Sequence, residues 1–388
     1  MIGYVFPGQG SQHTDMGGDL FPRFPSYVRQ ADEVLGYSIE QLCRDSSGKL
    51  TQTAYTQPAM YVVNALSYLA RVQDSKEPPA VVAGHSLGEY SALFAAGVFD
   101  FRTGLELVRR RGELMGEAQV GGMAAVLGLD LPAVEGLLRT APELADLDLA
   151  NINAPTQVVI SGPSQVIADA RAVFEKAGAR VYIPLNVGAA FHSRYMRSAR
   201  EKFEPFVRRF AFAEPSVPVI ANADRSFYTA QSASRLLVEQ IVAPVHWMAT
   251  VQQMANYGVS RIQEIGPGEV LTRLSSQILG NAAPTPAVDA RPPRATPAAE
   301  PPPKPVEAGD RAFEALRESI LEVLPGIDPS GISPESRLRD LQANSLDRAE
   351  VLMTAMQKLQ LKMPLIDLAA ARSMGGIAEI FRARLRAS

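Results

Sequence analysis

Ala80-Val81-Val82-Ala83-Gly84-His85-Ser86-Leu87-Gly88-Glu89-Tyr90-Ser91-Ala92-Leu93-Phe94-Ala95-Ala96 reads as three pieces: a buried-strand run over Ala80–Ala83, a turn of small residues, and a helix over Glu89–Ala96. The turn carries the pattern G-x-S-x-G. Between a strand and a helix that pattern is the nucleophile elbow, where small residues permit a sharp bend that exposes a serine hydroxyl. The bare pattern is weak, because glycine and serine are common in loops and a tight turn capped by a serine would look the same. The flanking strand and helix make Ser86 a candidate nucleophile and this segment one strand–helix unit of an α/β protein.

Working outward, Ile2–Phe6 is a second short apolar run ahead of glycine-rich residues, and Arg261–Ile265 is a third, closed by Gly266-Pro267-Gly268. Strand and helix signals that alternate in this way favour a parallel sheet of the hydrolase-like α/β kind. An insert over about 121–190 has a different order. It reads as strand (Gly122–Leu127), helix (Pro132–Thr140), strands (Leu147–Asn153 and Gln157–Ser161), helix (Ser164–Ala177) and strand (Arg180–Leu185). β-α-β-β-α-β is the ferredoxin-like pattern.

Gly280–Gly309 differs sharply from what surrounds it, with 9 Pro and 8 Ala in 30 residues. Such a stretch buries too little apolar area to offset its ordering entropy, and it reads as a semi-rigid linker reaching on the order of 90 Å when extended. The expected organisation is therefore a large domain over 1–279, the linker over 280–309, and a small domain over 310–388. The small domain reads as all-α. Ala312–Leu324 is amphipathic, Leu346, Ala349, Leu352, Met353, Met356 and Leu359 form a helical stripe, and Ile377–Leu385 is a final helix.

The 388 residues carry a net charge of −3, so no basic field favours nucleic acid. The one cysteine, Cys43, rules out an internal disulfide framework and suits a reducing cytoplasm. Met1–Gln12 lacks the pattern of a signal peptide, and no apolar run approaches the roughly 20 residues that span a bilayer. The expectation is a cytoplasmic protein without membrane, nucleic-acid or metal partners.

A serine nucleophile needs a base, and the chain has four histidines: His13, His85, His192 and His246. His85 adjoins Ser86, but neighbours on a tight turn point apart. His192 opens a segment in which His192, Met196, Ala199 and Phe203 share one helical face. A histidine on such a face is ordinarily a satisfied core residue; the serine's need for a partner, with few candidates, favours the catalytic reading. Arg111 is the most informative cation. On a helical projection of Gly104–Ala118 it falls with Leu107, Leu114, Met115 and Ala118, whereas Arg109 and Arg110 fall on a solvated face. A guanidinium turned to the core must find an anion, either an internal carboxylate or one on a substrate. Its planar fork suits bidentate carboxylate binding. Phe6-Pro7-Gly8-Gln9-Gly10-Ser11-Gln12 follows the first strand. It suits an oxyanion hole or phosphate loop, but lacks the endings of nucleotide-binding loops.

FPGQGSQ (6–12), GHSLGEYSAL (84–93), the Arg-Gly of RRRGELM (109–115), NAPTQVVISGP (153–163), AAFHS (189–193) and IGPGEVL (265–271) occur in that order. Together they resemble the malonyl-CoA–acyl carrier protein transacylase family over essentially residues 1–279. The resemblance implies Ser86 as the acyl-accepting nucleophile, His192 as its base and Arg111 as the clamp on the malonyl carboxylate. It implies the Gln9 and Leu87 amides as oxyanion donors, with Asn153 and the Gln9 side chain shaping the site. Phe191 and Leu87 fit malonyl rather than a branched acyl group. The resemblance also locates the carbonyl partner of the base at Pro244-Val245-His246-Trp247, where His246 replaces a common glutamine.

Asp340-Leu341-Gln342-Ala343-Asn344-Ser345-Leu346-Asp347 precedes a helix, and Ser345 reads locally as its N-cap. With the helical order around it, LQANSLDRAEV resembles an acyl carrier protein over about 310–388. That implies a 4′-phosphopantetheine arm on Ser345, added by a phosphopantetheinyl transferase. The segment has 11 Lys/Arg and 11 Asp/Glu, so it is neutral where carriers are typically acidic. Asn344 and Gln342 stand where Asp and Gly are usual, and the variant looks more like polyketide-pathway carriers than fatty-acid ones. The resemblance therefore implies malonyl transfer from malonyl-CoA to acyl carrier proteins, the fused one or others in trans, serving synthase modules. Three alternatives remain. A carrier thioester hydrolase on the same scaffold gains nothing from Arg111. An α/β-hydrolase esterase expects an acid between serine and histidine. A docking scaffold needs none of these residues.

Overall fold

The computed structural model describes residues 1–75, 77–118, 121–280, 311–324, 327–338, 341, 345–363, 365–368, 371 and 373–387. The chain divides into two compact units, Met1–Gly280 and Asn281–Ser388. Of the linker expected over 280–309, residues 281–309 lie outside the described residues, as does Asp310.

In the first unit the strands are β1 (Ile2–Phe6), β2 (Val81–Gly84), β3 (Gly122–Leu127), β4 (Asp148–Ala154), β5 (Gln157–Gly162), β6 (Val181–Pro184), β7 (Val219–Ile220) and β8 (Arg261–Glu264). One sheet has the order β7-β2-β1-β8 and is parallel throughout. Every residue of β1, β2 and β7 is buried, as expected where helices cover both faces of a parallel sheet. Val5, Val81, Ala83 and Ile220 pack on Trp247, Val251, Met254 and Leu271 from the helices Trp247–Asn256 and Val270–Leu279. The two-residue strand β7 has no counterpart in the sequence reading, being too short for any periodicity.

The second sheet has the order β4-β5-β3-β6, and all its pairings are antiparallel. With the helix Leu131–Thr140 between β3 and β4, this is the expected ferredoxin-like connection. The helix expected over Ser164–Ala177 is instead two, Ser164–Asp169 and Arg171–Lys176, broken at Ala170. Val126, Val158, Ile160, Phe174 and Tyr182 form its core. A bridge between Asn151 and Val245, with the Ile152 N–H on the Val245 carbonyl at 2.9 Å, ties the insert to the parallel-sheet part.

Register places the site. Phe6 pairs with Gly84, so the loops that leave the carboxyl ends of β1 and β2 emerge side by side. Ligands of open parallel sheets bind at such ends. The close approach depends on missing side chains. A Cβ on Gly88 would lie 2.0 Å from the Phe6 carbonyl oxygen, and one on Gly84 would lie 1.9 Å from the Gly88 carbonyl carbon. The glycines of the elbow therefore serve helix-on-strand packing, while the bend itself falls on Ser86.

In the second unit the helices are Arg311–Val323, Ser345–Lys358 and Met374–Ala387, with single turns at Pro329–Gly331 and Leu365–Leu368. Leu316, Ile320, Val351, Ala355, Leu359 and Phe381 make its core. The stripe differs from the expected one: Val351, Ala355, Met356 and Leu359 are buried, and Ala349, Leu352 and Met353 are half-buried. Gln342, Ala343 and Asn344 lie outside the described residues, as do the side chains of Ser345 and Leu346.

Candidate active site

Ser86 has a φ of 51°, in the left-handed region that a residue with a Cβ enters only when its surroundings hold it there. Asn222 holds it: its Oδ1 accepts from the Ser86 N–H at 2.7 Å and its Nδ2 donates to the Gly84 carbonyl at 2.7 Å. Gln240 Nε2 donates to the Ser86 carbonyl at 2.9 Å. Asn222 is braced in turn by its own N–H, which donates to Glu89 Oε2 at 2.8 Å, while the Tyr228 hydroxyl bonds Glu89 Oε1. Glu89 is fully buried, and desolvation pushes its carboxyl up to about 7 against the lowering effect of these donors.

His192 Nε2 lies 2.7 Å from Ser86 Oγ. Its Nδ1 faces two carbonyl oxygens, Gln240 at 3.0 Å and Ala243 at 3.1 Å. Carbonyls only accept, so the ring proton sits on Nδ1, leaving Nε2 to receive the Ser86 proton. Burial first, and the nearby Arg111 charge second, lower this imidazole to about 3. His192 is therefore a neutral base at any physiological pH. It does not lie on a helical face with Met196, Ala199 and Phe203. With a φ of 56° it precedes the turn Arg194–Met196 and the helix Arg197–Val207. Nor do its carbonyl partners fall in Pro244–Trp247, where the resemblance located them; Ala243 stands just before that segment, and the His246 N–H donates to the Asn222 carbonyl at 3.4 Å.

Arg111, on the helix Phe101–Glu117, is 1% exposed. One terminal nitrogen donates to Gln57 Oε1 at 2.7 Å; the other donates to Gln240 Oε1 at 2.9 Å and to Ser86 Oγ at 3.2 Å. Its Nε is buried without a partner. Every acceptor is neutral, and among the described residues no internal carboxylate pairs with it, although Glu89 lies near enough to bear on its charge. A buried guanidinium held by two side-chain amides, the Ser86 hydroxyl and the face of the Tyr90 ring, 5.6 Å away, can receive an anion placed beside Ser86. Arg109 and Arg110 instead pair with Glu113 at the surface.

Gln9 and Leu87 flank the elbow, where a Cβ on Gly8 would lie 2.4 Å from the His85 carbonyl oxygen and 3.7 Å from the Leu87 nitrogen. Neither the Gln9 nor the Leu87 backbone N–H donates to an acceptor among the described residues, so both are available to a developing oxyanion. Asn153 turns to His85, whose Nε2 lies 2.9 Å from its Oδ1 while the ring packs on Trp247. Phe191 is buried, and its carbonyl accepts from the Ser161 hydroxyl at 2.9 Å. His246 is half-buried and makes no hydrogen bond to Ser86 or His192. Three residues at the centre, Gln57, Asn222 and Gln240, carry no sequence motif. Their only signal is an amide in an otherwise apolar stretch.

A Ser–His pair, two free backbone amides and a buried guanidinium meet at the end of a parallel sheet, an arrangement able to carry out acyl transfer through a serine. The chain belongs to the acyl transferase family: the family model described as acyl transferase domain matches residues 3–291, and the one described as phosphopantetheine attachment site matches residues 314–381. The polyketide biosynthesis malonyl CoA-acyl carrier protein transacylase PksC of Bacillus subtilis is 50% identical over 280 residues, covering 72% of this chain and 97% of its own length. The polyketide biosynthesis protein ThaF of Burkholderia thailandensis is 50% identical over 314 residues, covering 80% of this chain; the chain spans only 27% of that longer protein. Among solved structures, a type II PKS acyl-carrier protein in complex with its malonyl-transacylase matches with a TM-score of 0.69. That match has 35% identity and covers 72% of this chain and 93% of that one. The chain is an acyltransferase, and a phosphopantetheine attachment region accompanies its transferase part. No helix among the described residues is long and apolar enough to cross a membrane.

Proposed function

We propose that the chain transfers malonyl from malonyl-CoA, through an ester on Ser86, to the phosphopantetheine thiol of an acyl carrier protein in polyketide biosynthesis. The observation that carries this reading is Arg111, a buried cation whose acceptors are all neutral, 3.2 Å from the nucleophile. A malonyl carboxylate supplies the missing anion; an acetyl group leaves the cation unpaired, which costs several kcal/mol. The names of the relatives supply the polyketide setting.

In the first half-reaction His192 Nε2 takes the Ser86 proton as Oγ attacks the thioester carbonyl. The Gln9 and Leu87 N–H groups receive the oxyanion. The carbon–sulfur bond then breaks, and His192 returns the proton to the departing CoA thiolate. In the second half-reaction His192 takes the proton of a carrier thiol, whose sulfur attacks the ester, and Ser86 recovers its proton, giving ping-pong kinetics. Phe191 and Leu87 wall the acyl site against branched groups.

The phosphopantetheine group, when attached, supplies the accepting thiol. Ser345 suits its attachment because it opens the helix Ser345–Lys358, whose first N–H groups favour a phosphodiester. We assign residues 1–279 to the transacylase, 280–309 to the linker and 310–388 to the carrier. A phosphopantetheinyl transferase loads Ser345, and synthase modules take the malonyl from this carrier or from others in trans. A tether of this length gives effective concentrations of order mM. We place the reaction in the cytoplasm, in keeping with the free thiol of Cys43. The editing hydrolase finds no support among the relatives, several of which are named as transacylases.

Intact-protein mass tests the reading after the phosphopantetheinylated chain meets malonyl-, methylmalonyl- and acetyl-CoA together. Malonyl is expected on the arm at Ser345, lost in Ser86→Ala and replaced by acetyl in Arg111→Ala. Free malonate and CoA accumulating without an adduct would overturn it in favour of hydrolysis.

A further inference from the structure

Arg111 does more in this site than wait for an anion. The nitrogen that donates to Gln240 Oε1 also donates to Ser86 Oγ at 3.2 Å, and the same Oγ faces His192 Nε2 at 2.7 Å. A guanidinium N–H on Oγ draws on the lone pair that must attack a thioester. A positive charge at that distance also opposes the imidazolium formed when Ser86 gives up its proton. In this arrangement the clamp works against the dyad.

We propose that Arg111 is a substrate-operated brake: until a carboxylate binds its guanidinium it restrains Ser86 and His192, and the carboxylate of the acyl group releases both. The inference rests on the reading above that the acyl group brings a carboxylate to Arg111. The geometry of release follows from the unpartnered Nε. A carboxylate along the edge formed by Nε and the nitrogen that reaches Ser86 satisfies the first and competes with Oγ for the second, while Gln57 keeps the other terminal nitrogen. Its negative charge also cancels the field at His192.

Other charges near His192 do not substitute for Arg111. On the site side the other titratable neighbours are His85, whose imidazole burial lowers, and Glu89, which sits behind Asn222 with its carboxyl raised to about 7 by burial and bears on Arg111 rather than on His192. A cavity of about 630 Å³ lined by His192 also holds Asp148, Arg194, Arg197, Arg200, Glu201 and Glu239. There Asp148 pairs with Arg194 and Glu239 with Arg235, while Arg197 and Glu201 are solvent-exposed, of opposite sign and one helical turn apart. Arg200 is half-buried and Arg111 is buried to 1% exposure. Of these cations Arg111 is the one that touches the nucleophile, and it depresses His192 second only to burial. Coupling of this kind makes the acid that identifies the substrate also the switch for attack on it, and holds back reaction with neutral thioesters.

The test uses the full chain and a neutral electrophile, p-nitrophenyl acetate. Ser86 Oγ attacks its carbonyl, the Ser86 proton passes to His192 Nε2, and p-nitrophenolate leaves as acetyl-Ser86 forms. The p-nitrophenolate burst is followed from pH 2.5 to pH 8 with and without formate as a free carboxylate. Formate is expected to raise the burst rate at pH 7 saturably, by about tenfold, and to move the midpoint of the acid limb up by about one pH unit or more. Arg111→Gln is expected to start from the raised rate and midpoint and to ignore formate. A burst that formate leaves unchanged, or only inhibits, overturns the brake. Because Arg111→Gln removes a buried charge and its fold is not assured, an NMR titration of His192 in the wild-type chain gives a second reading. Its midpoint must rise with formate, and an unmoved midpoint overturns the proposal. Failure of the parent reading looks different: malonyl-CoA would leave no adduct on Ser86 whatever formate does to the burst.

Discussion

On the function proposed above two serines carry the chemistry, and their surroundings contrast. Ser86 bends the chain at a φ of 51°, and its bonding partners come from far along the sequence: Asn222, Gln240, His192 and Arg111. Ser345 opens an ordinary helix, Ser345–Lys358, whose stability comes from Val351, Ala355 and Leu359 packing on Leu316, Ile320 and Phe381. A nucleophile that must be strained, desolvated and matched to a base requires a whole fold around it. A serine that carries a long arm requires only a stable helix end and access for a modifying enzyme. The difference is between a residue that performs chemistry and one that delivers it.

The largest effects separate the two. Ser86→Ala is expected to lower malonyl transfer by about 10⁴-fold or more while the arm is still added at Ser345. Ser345→Ala is expected to leave malonylation of Ser86 intact and transfer to a separately supplied carrier unchanged. Both are read by intact mass with holo carrier added in trans. If Ser345→Ala also abolished the Ser86 adduct, the contrast between a chemical serine and a delivery serine would be lost.

A smaller effect probes what holds Ser86 in place. Asn222→Ala removes the acceptor for the Ser86 N–H and the donor to the Gly84 carbonyl, so the elbow relaxes without loss of Ser86, His192 or Arg111. A displacement of the nucleophile of about 1 Å is expected to cost about 10²-fold in kcat, with KM for malonyl-CoA little changed because Arg111 remains. A larger change in KM than in kcat would show that Asn222 shapes binding instead of attack.

The sequence exposed the parts of this site that local pattern can encode. Gly84–Gly88 between an apolar strand and a helix announced the elbow, the order of strand and helix runs announced the insert, and the position of Arg111 on the apolar face of its helix announced a buried cation. Gln57, Asn222 and Gln240 escaped it. An amide is neutral and common, and what makes these three central is a set of contacts made at separations of 54 to 154 residues. His192 was found by chemical need but placed wrongly, because a helical projection cannot register a residue at positive φ just outside the helix. The carbonyl that orients it comes from Gln240 and Ala243, and no side-chain pattern marks a carbonyl.

The smallest effect concerns Glu89, two bonds removed from Ser86 through Asn222. Its carboxyl stands at about 7 against an ordinary 4.5, raised by burial. Between those values the folded chain holds a proton that the unfolded chain has lost, so stability falls as pH rises through roughly 4.5 to 7 and stays lowered above it. Glu264, also raised to about 7 by burial, contributes in the same direction. Glu89→Gln cannot ionise and keeps one acceptor for the Asn222 N–H and one partner for Tyr228, so it removes one of the two contributions. Its Tm should therefore fall less than that of the wild type between pH 5 and pH 8, by about 3 °C. A Tm offset that is the same at both pH values would mean that the carboxyl is ionised throughout. The nucleophile would then rest on a fixed buried anion, and the titrating brace beneath Ser86 would have to be abandoned.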